Sequence, residues 1–261
     1  MEWTFEAEGP VQTDVVVPAG FIEVEPADGN TVTVVLEPLR DSRRDDELIA
    51  GSEVSLAAGK LRVHVPERAL RNIEVRCRLR LPGGSSLATK TASADVRSSI
   101  GLRAFEGTTA SGDTELRDVT DDARHKSASG DFTCESVGGR LHVRTASGDV
   151  WVRRAAGEVE LALSSGGAHV EDAEGPVDVR SASGDVRLDR VRRGRVRVQT
   201  ASGDVRIAVA DGVGAYLDVT TVSGDTQCTL PFREGVSGGA AALEIVAHTV
   251  SGDVVVQGAS R

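Results

Sequence analysis

An aspartate recurs along most of the chain at a spacing of 18 residues, which lengthens to 19, 21 and 28 residues in the last three intervals. Gly167 stands where one copy is missing. If the copies stack, neighbouring carboxylates about 5 Å apart repel by roughly 0.8 kcal/mol even in water, so the column needs a partner. The aspartates are Asp95, Asp113, Asp131, Asp149, Asp185, Asp204, Asp225 and Asp253.

Either a bound cation or hydrogen bonds from the backbone would offset the repulsion between the carboxylates. Carboxylates from successive repeats suit calcium, which takes roughly six to eight oxygen ligands. Alternatively, each aspartate accepts backbone N–H bonds in its own turn. We favour the turn, because calcium-binding β-rolls carry a glycine-rich element on both sides of each repeat and this chain has it on one side only. We therefore expect no cofactor and no metal that the fold requires. The alternative metal ligands are Asp113, Asp131, Asp149, Asp185 and Asp204.

A second candidate site lies two residues after the aspartate, where Trp151, His169 and Arg187 stand in consecutive repeats, followed by Arg206. An exposed tryptophan beside histidine and arginine suits stacking on a sugar or on a partner's side chain. Ordinary cross-strand packing on a sheet surface is the alternative interpretation.

Strands are the elements that must position these residues. Apolar residues recur at the first, third, sixth, tenth and twelfth positions after the aspartate, which is strand spacing. A propeller blade needs about 40 residues per repeat, and helical periodicity is absent. The sequence predicts an all-β protein, a single parallel β-helix-like β-solenoid with about nine 18-residue coils. The glycine before each aspartate is predicted to turn with positive φ.

The repeat divides the chain into two segments of one continuous domain. Residues 1–86 lack the repeat and are predicted to form a β-rich N-terminal cap, and residues 87–261 form the coils. The last coil, beginning at Val254, is predicted to leave an open edge. The strands predicted in the cap are residues 11–17, 21–25, 31–36, 60–65 and 72–81.

Composition limits the function classes. The net charge is −10 and no basic cluster is interleaved with aromatics, which argues against nucleic-acid binding. No run approaches the roughly 20 apolar residues of a membrane-spanning helix, and no signal peptide is recognised. Cys77 is predicted to be buried, and Cys134 and Cys228 to point inward too far apart to bond. Three thiols suit a reducing compartment, so we expect a cytoplasmic location. Export to the cell envelope by an unrecognised route is the alternative.

The Thr-Ala-Ser-Gly-Asp-Val cores, complete at residues 145–150, and the lead-in Leu-Pro-Gly-Gly-Ser-Ser-Leu at residues 81–87 resemble the bacterial putative-adhesin family of β-strand repeats, a domain-of-unknown-function family. The resemblance implies a β-solenoid and an association with bacterial cell-envelope biology. It implies no catalytic residues.

The sequence favours a non-catalytic function. The five histidines have no metal-ligand spacing, and neither a Gly-X-Ser-X-Gly elbow nor a phosphate loop is present. We expect a binding or scaffolding module that makes extended protein–protein contacts, or associates with itself, through the solenoid faces or the open C-terminal edge. A surface adhesin that binds carbohydrate is the alternative, and a polysaccharide-active enzyme on a β-helix is less favoured.

Overall fold

The structure is a computed structural model that describes residues 1–39, 49–66, 74–230 and 243–259, and these residues lie mostly in β-strands. They form two compact units, residues 1–135 and 136–261. Each unit contains strands of two open sheets. The all-β prediction is confirmed.

The described residues of the first unit form twelve complete strands, and a thirteenth includes residues on both sides of the division at residue 135. They are β1 (Glu2–Glu6), β2 (Gln12–Val16), β3 (Ala19–Pro26), β4 (Thr31–Pro38), β5 (Glu53–Ala57), β6 (Lys60–His64), β7 (Val75–Leu81), β8 (Ser86–Lys90), β9 (Ser93–Leu102), β10 (Phe105–Thr108), β11 (Thr114–Val119), β12 (Ala123–Ser127) and β13 (Phe132–Val137).

The other twelve strands of the described ranges lie in the second unit. They are β14 (Leu141–Thr145), β15 (Val150–Ala155), β16 (Val159–Ser165), β17 (Ala168–Ala173), β18 (Val177–Ser183), β19 (Val186–Val191), β20 (Gly194–Ser202), β21 (Val205–Val209), β22 (Ala215–Ser223), β23 (Thr226–Cys228), β24 (Leu243–Ser251) and β25 (Val254–Gly258).

Each repeat contributes one strand to each sheet, and equivalent strands of successive repeats pair in parallel. Leu141 of β14 is opposite Val159 of β16, which is opposite Val177 of β18, so the register equals the sequence period. Side chains alternate along each strand, and the inward rows form a thin apolar core in which Val152 and Val179 are fully buried. The period of the sequence is therefore the hydrogen-bonding register of the sheets.

In the first unit, the chain order and the spatial order of the strands differ. β3 pairs in parallel with β7 on one side and β9 on the other, and β2 lies likewise between β6 and β8. Three antiparallel pairings, β1 with β4, β4 with β7, and β5 with β6, close this arrangement. The five strands predicted between residues 11 and 81 are present, with ends that differ by a few residues from the prediction; the last begins at Val75, and residues 72 and 73 lie outside the described residues. β1 and β5 were not predicted.

The second unit contains a similar insertion at its C-terminal end. β24 pairs with both β20 and β22, and β25 pairs with both β21 and β23. The predicted open edge at Val254 is therefore wrong, because this strand has a neighbour on each side. The inward residues of β24 and β25, such as Ile245 and Val254, are buried and apolar except for Thr249, and a central position buries them best. Among the described strands of the second unit, the edge strands are β22 and β23.

The glycine before the repeat aspartate is required by close stacking of the backbone. A Cβ atom at Gly112 would overlap the carbonyl oxygen of Ala94, and one at Gly184 would overlap that of Gly166. The predicted positive φ is correct for later copies, such as Gly184 at +141°, but Gly112, Gly130 and Gly148 do not adopt it. In these three turns a hydroxyl oxygen three residues earlier accepts the glycine N–H, which closes the turn locally.

The cysteines lie on inward rows as predicted, but one of them is exposed. Cys77 and Cys134 are buried, and burial, together with the nearby Glu23 carboxylate, raises the pKa of Cys77 to about 12. Cys228 lies on the inward row of β23, opposite Val256, but it is exposed. The predicted inward position of Cys228 is therefore correct, but its side chain is exposed because β23 is an edge strand and no other described strand pairs with its outer side. No disulfide joins the three cysteines.

Candidate functional site

The aspartate column forms a ladder of hydrogen bonds between successive strands. In the first unit, Asp95 Oδ1 accepts the backbone N–H of Asp113 at 3.0 Å, and Asp113 Oδ1 accepts that of Asp131 at 3.0 Å. In the second unit, Asp185 Oδ1 accepts the N–H of Asp204 at 2.8 Å. The structural interpretation of the column gains support, but the predicted bond within the same turn is wrong. The donor belongs to the neighbouring strand because the stacked turns bring its N–H groups under each carboxylate.

The ladder continues to the edge strands of the second unit. Asp204 Oδ1 accepts from the N–H of Asp253 at 3.1 Å, and Asp253 Oδ1 accepts from that of Asp225 at 2.8 Å. It follows the spatial order of the strands, not their chain order. Asp149 Oδ1 accepts the N–H of Gly167 at 2.7 Å, but glycine has no carboxylate with which to continue. The ladder is therefore interrupted at Gly167.

The residues named above as the alternative metal ligands all take part in this ladder, as acceptors or as donors of a backbone N–H; they are Asp113, Asp131, Asp149, Asp185 and Asp204. Within the described ranges, no group of three or more His, Cys, Asp or Glu side chains is arranged to hold a metal ion. One oxygen of each accepting carboxylate already receives a backbone N–H, and hydrogen bonding to the charged form offsets repulsion between carboxylates.

Trp151, His169 and Arg187 stand side by side on β15, β17 and β19, as predicted. Trp151 is opposite His169, and His169 is opposite Arg187, in a continuous parallel register. Trp151 and His169 are half-buried, whereas Arg187 is exposed. We call the outer surface of these three strands the Trp151 face. Arg206 continues the row on β21, where its guanidinium contacts Asp204 at 3.2 Å.

Each strand of the Trp151 face carries two consecutive outward residues before its last buried position. These pairs are Arg153-Arg154, Glu171-Asp172 and Asp189-Arg190, and Ala155, Ala173 and Val191 are the buried residues that follow them. β21 has only Ala208 at this level, so its register with β19 shifts between Leu188 and Val191. A shallow depression of about 460 Å³ lies along these charged pairs and Ala208.

Two carboxylates organise the charges of this face. Asp189 contacts His169 Nε2 at 2.7 Å and accepts from Arg187 Nε at 2.6 Å. Burial raises the pKa of the Asp189 carboxyl, but the hydrogen bonds from Arg187 and His169 outweigh burial and hold the pKa below its usual value. Asp172 accepts two hydrogen bonds from Arg192, at 2.8 and 2.7 Å, which lower its pKa. These contacts hold the side chains in one arrangement.

The sequence analysis missed Asp189, Asp172 and Arg192. A signal for Asp189 and Asp172 was present, because two successive polar residues between the third and sixth positions of a repeat must both point outward. Arg192 lies beyond the sixth position, in the following turn, and this signal does not include it. The row itself was predictable from strand alternation, whereas the ion pairs join residues that are 20 positions apart.

These features define a class: a repetitive all-β protein of open, mainly parallel sheets whose outer surfaces carry ordered rows of polar side chains. The sequence model of the Toastrack DUF4097 family matches residues 22–257. The chain belongs to this family, which confirms the resemblance to a domain-of-unknown-function family. No curated protein matches the chain.

Several solved structures are similar to this one in fold. A putative lipid binding protein from Parabacteroides distasonis has a TM-score of 0.53 and 12% identity, covering 98% of this chain and 96% of that one. A putative adhesin from Bacteroides fragilis has a TM-score of 0.42 and 12% identity, with coverages of 98% and 96%. At these identities the first likeness bears on the fold alone.

In the described part of the chain, no helix is long and apolar enough to span a membrane.

Proposed function

We propose that this protein is a non-catalytic β-solenoid that binds or scaffolds an extended protein partner across the Trp151 face. The observation that carries the proposal is the continuous row of Trp151, His169 and Arg187 on three adjacent parallel strands. A half-buried tryptophan offers apolar area at little conformational cost, and arginine offers several hydrogen-bond donors. Both residue types are enriched among the residues that dominate binding energy at interfaces.

The shape and charge of this face suit a long polar partner better than a small molecule. The depression is shallow, and arginines alternate with carboxylates along it. Small-molecule sites are instead concave and mostly apolar. Ion pairs such as Arg187 with Asp189 already order the side chains, so a partner would lose little further entropy on binding.

Two substitutions on the Trp151 face test the proposal. Trp151→Ala and Arg187→Ala should each weaken capture of a native partner by at least about tenfold, because both would be central contacts. Arg180→Ala is the matched control, since Arg180 is an exposed arginine paired with Asp178 on the other sheet of the same unit. Partners retained equally by all three variants would refute binding through this face. Fractionation of native cells would also test the proposed cytoplasmic location.

Carbohydrate binding is the second candidate, and Trp151 is again the observation that favours it. Sugars stack on aromatic side chains and form hydrogen bonds with polar groups nearby. Here His169, Asp189 and Arg187 supply such groups on the same face as Trp151. Under this alternative the protein is a surface adhesin, and recovery from the cell envelope with glycan binding lost in Trp151→Ala would replace the protein-scaffold proposal. The name of the Parabacteroides distasonis protein suggests vesicles of bacterial lipid as a further ligand to include.

A further inference from the structure

The edge strand β22 leaves part of the second unit's core uncovered. Leu217 and Val219 lie on the inward row of β22 and are only half-buried. Their register partners in β24, Ile245 and Ala247, are fully buried. Among the described strands β22 pairs with β24 alone. An added strand at this edge would therefore cover apolar surface and supply backbone hydrogen-bond partners.

The sequence of β22 also lacks the residues that usually protect an edge strand. β22 runs nine residues, Ala-Tyr-Leu-Asp-Val-Thr-Thr-Val-Ser, without proline or lysine and with one charged residue, Asp218. Edge strands that avoid pairing commonly carry lysine, proline or a bulge. Two of the exposed large apolar side chains of the protein are on this strand, Tyr216 at 62% and Val222 at 78% exposure.

The order of residues in β22 is self-complementary. Tyr216 and Val222 both point outward and lie three residues on either side of Val219. If two β22 strands pair antiparallel about Val219, Tyr216 of each copy is opposite Val222 of the other. Asp218 is then opposite Thr220, so no like charges meet, and Leu217 is opposite Thr221. Antiparallel pairing across a two-fold axis places the same patch on both copies.

We propose that two copies of this chain join through β22, antiparallel and centred on Val219, as a two-fold symmetric dimer. A strand of another protein would need to bring a bulky apolar residue opposite both Tyr216 and Val222, whereas a second copy supplies both. The Trp151 face lies on β15, β17 and β19, so the proposed dimer does not depend on what binds there.

Oligomeric mass tests the pairing directly. We expect the full chain to reach twice its mass of 27.3 kDa in a concentration-dependent equilibrium measured by analytical ultracentrifugation. In the double variant Tyr216→Lys with Val222→Lys, a lysine of one copy faces a lysine of the other at both contacts. Because like charges repel across a strand pair, the dissociation constant of the dimer should rise at least about tenfold. Tyr216→Lys with Val222→Glu instead pairs lysine with glutamate across both contacts and should restore the dimer. Ala201→Lys, in the equivalent outward row of β20, is the control and should leave the dimer unchanged.

Register is tested by cross-linking. In a Cys228→Ser background, Val219→Cys should form a disulfide-linked dimer on mild oxidation, because residues on the two-fold axis face each other. Tyr216→Cys should not, since its partner is Val222. A monomer at every concentration would overturn the proposal. So would a dimer that the lysine pair leaves intact, one that the lysine–glutamate pair does not restore, or one that Ala201→Lys disrupts equally.

Discussion

His125 is a polar ring in an otherwise apolar environment. Its side chain is 2% exposed, and its ring lies 6.2 Å from that of Phe105 and 5.1 Å from that of Phe132. Neither ring nitrogen has a hydrogen-bond partner among the described residues. His125 occupies the twelfth position after Asp113, which is an inward position of the repeat. Gly107 on the neighbouring strand leaves room for the ring, since a Cβ there would meet it. The ring therefore packs as an uncharged aromatic group.

This burial makes stability depend on pH. Burial lowers the pKa of His125 from 6.5 to about 4, so between these values the unfolded chain binds a proton that the folded chain does not. The stability linked to uncharged His125 is therefore fully present above about pH 6.5 and is lost as the pH decreases toward about 4. The loss attributable to His125 should be about 2 to 3 kcal/mol, measured by urea unfolding. His125→Val should lack this component, and equal pH dependence in the two proteins would contradict the burial argument.

Gly167 offers a way to complete the aspartate ladder. A Cβ at Gly167 would lie 3.6 Å from the carbonyl oxygen of Asp185 and 3.7 Å from Asp149 Oδ1, which are ordinary contacts. Gly167→Asp should place a carboxylate near the N–H of Asp185. The new hydrogen bond should stabilise the fold by about 0.5 to 1 kcal/mol, in addition to the stabilisation that comes from replacing glycine itself. Gly167→Ala is the control for the glycine effect. Denaturant midpoints that are the same for alanine and aspartate would show that the rung contributes nothing.

At the scale of the elements, the strands are held by turns that stack closely enough to forbid side chains. Carbonyl oxygens of one turn occupy the space where a Cβ of the next would be, as at Gly184 over Gly166. The same closeness brings each aspartate carboxylate within hydrogen-bond distance of the next N–H, as for Asp185 and Asp204. The glycine and the aspartate of each repeat therefore both depend on the same close stacking of the turns.

Replacing one of these glycines should break the stack locally. Gly184→Ala combines an overlap with the Gly166 carbonyl and a φ of +141°, and we expect a loss of at least about 2 kcal/mol of unfolding free energy. Gly214→Ala is the matched control, because nothing lies within 4 Å of a Cβ there and its φ is not positive. Thermal melts followed by circular dichroism would measure both. Equal melting temperatures would refute the close-approach explanation.

At the scale of the whole molecule, the chain twice places a strand pair out of sequence order, once within each unit. β2 and β3 lie between strands that come much later in the first unit, and β24 and β25 lie between earlier strands in the second. Parallel strands pair through backbone groups that every repeat shares, so the pairing pattern alone permits several orders. The burial of the complete apolar rows distinguishes among them.

Calcium should have little effect on the stability of the whole chain. The carboxylates of the ladder already accept backbone N–H groups, and the described residues hold no three-ligand cluster. We expect the melting temperature in millimolar calcium to exceed that in excess chelator by less than about ten degrees. A larger rise would identify the aspartate column as a metal site and would overturn its interpretation as a purely structural ladder of hydrogen bonds.

The sequence by itself determined the strand type, the period and which side chains face inward, because these depend on local alternation. Val152 and His125 are buried, and Trp151, His169 and Arg187 form a row, as the spacing predicted. Only the tertiary structure decided which strands are neighbours, and with them the donor to each aspartate, the ion pairs of Asp189 and the exposure of Cys228. These features join residues from different repeats, and near-identical repeats carry no local information about which edge will pair with which.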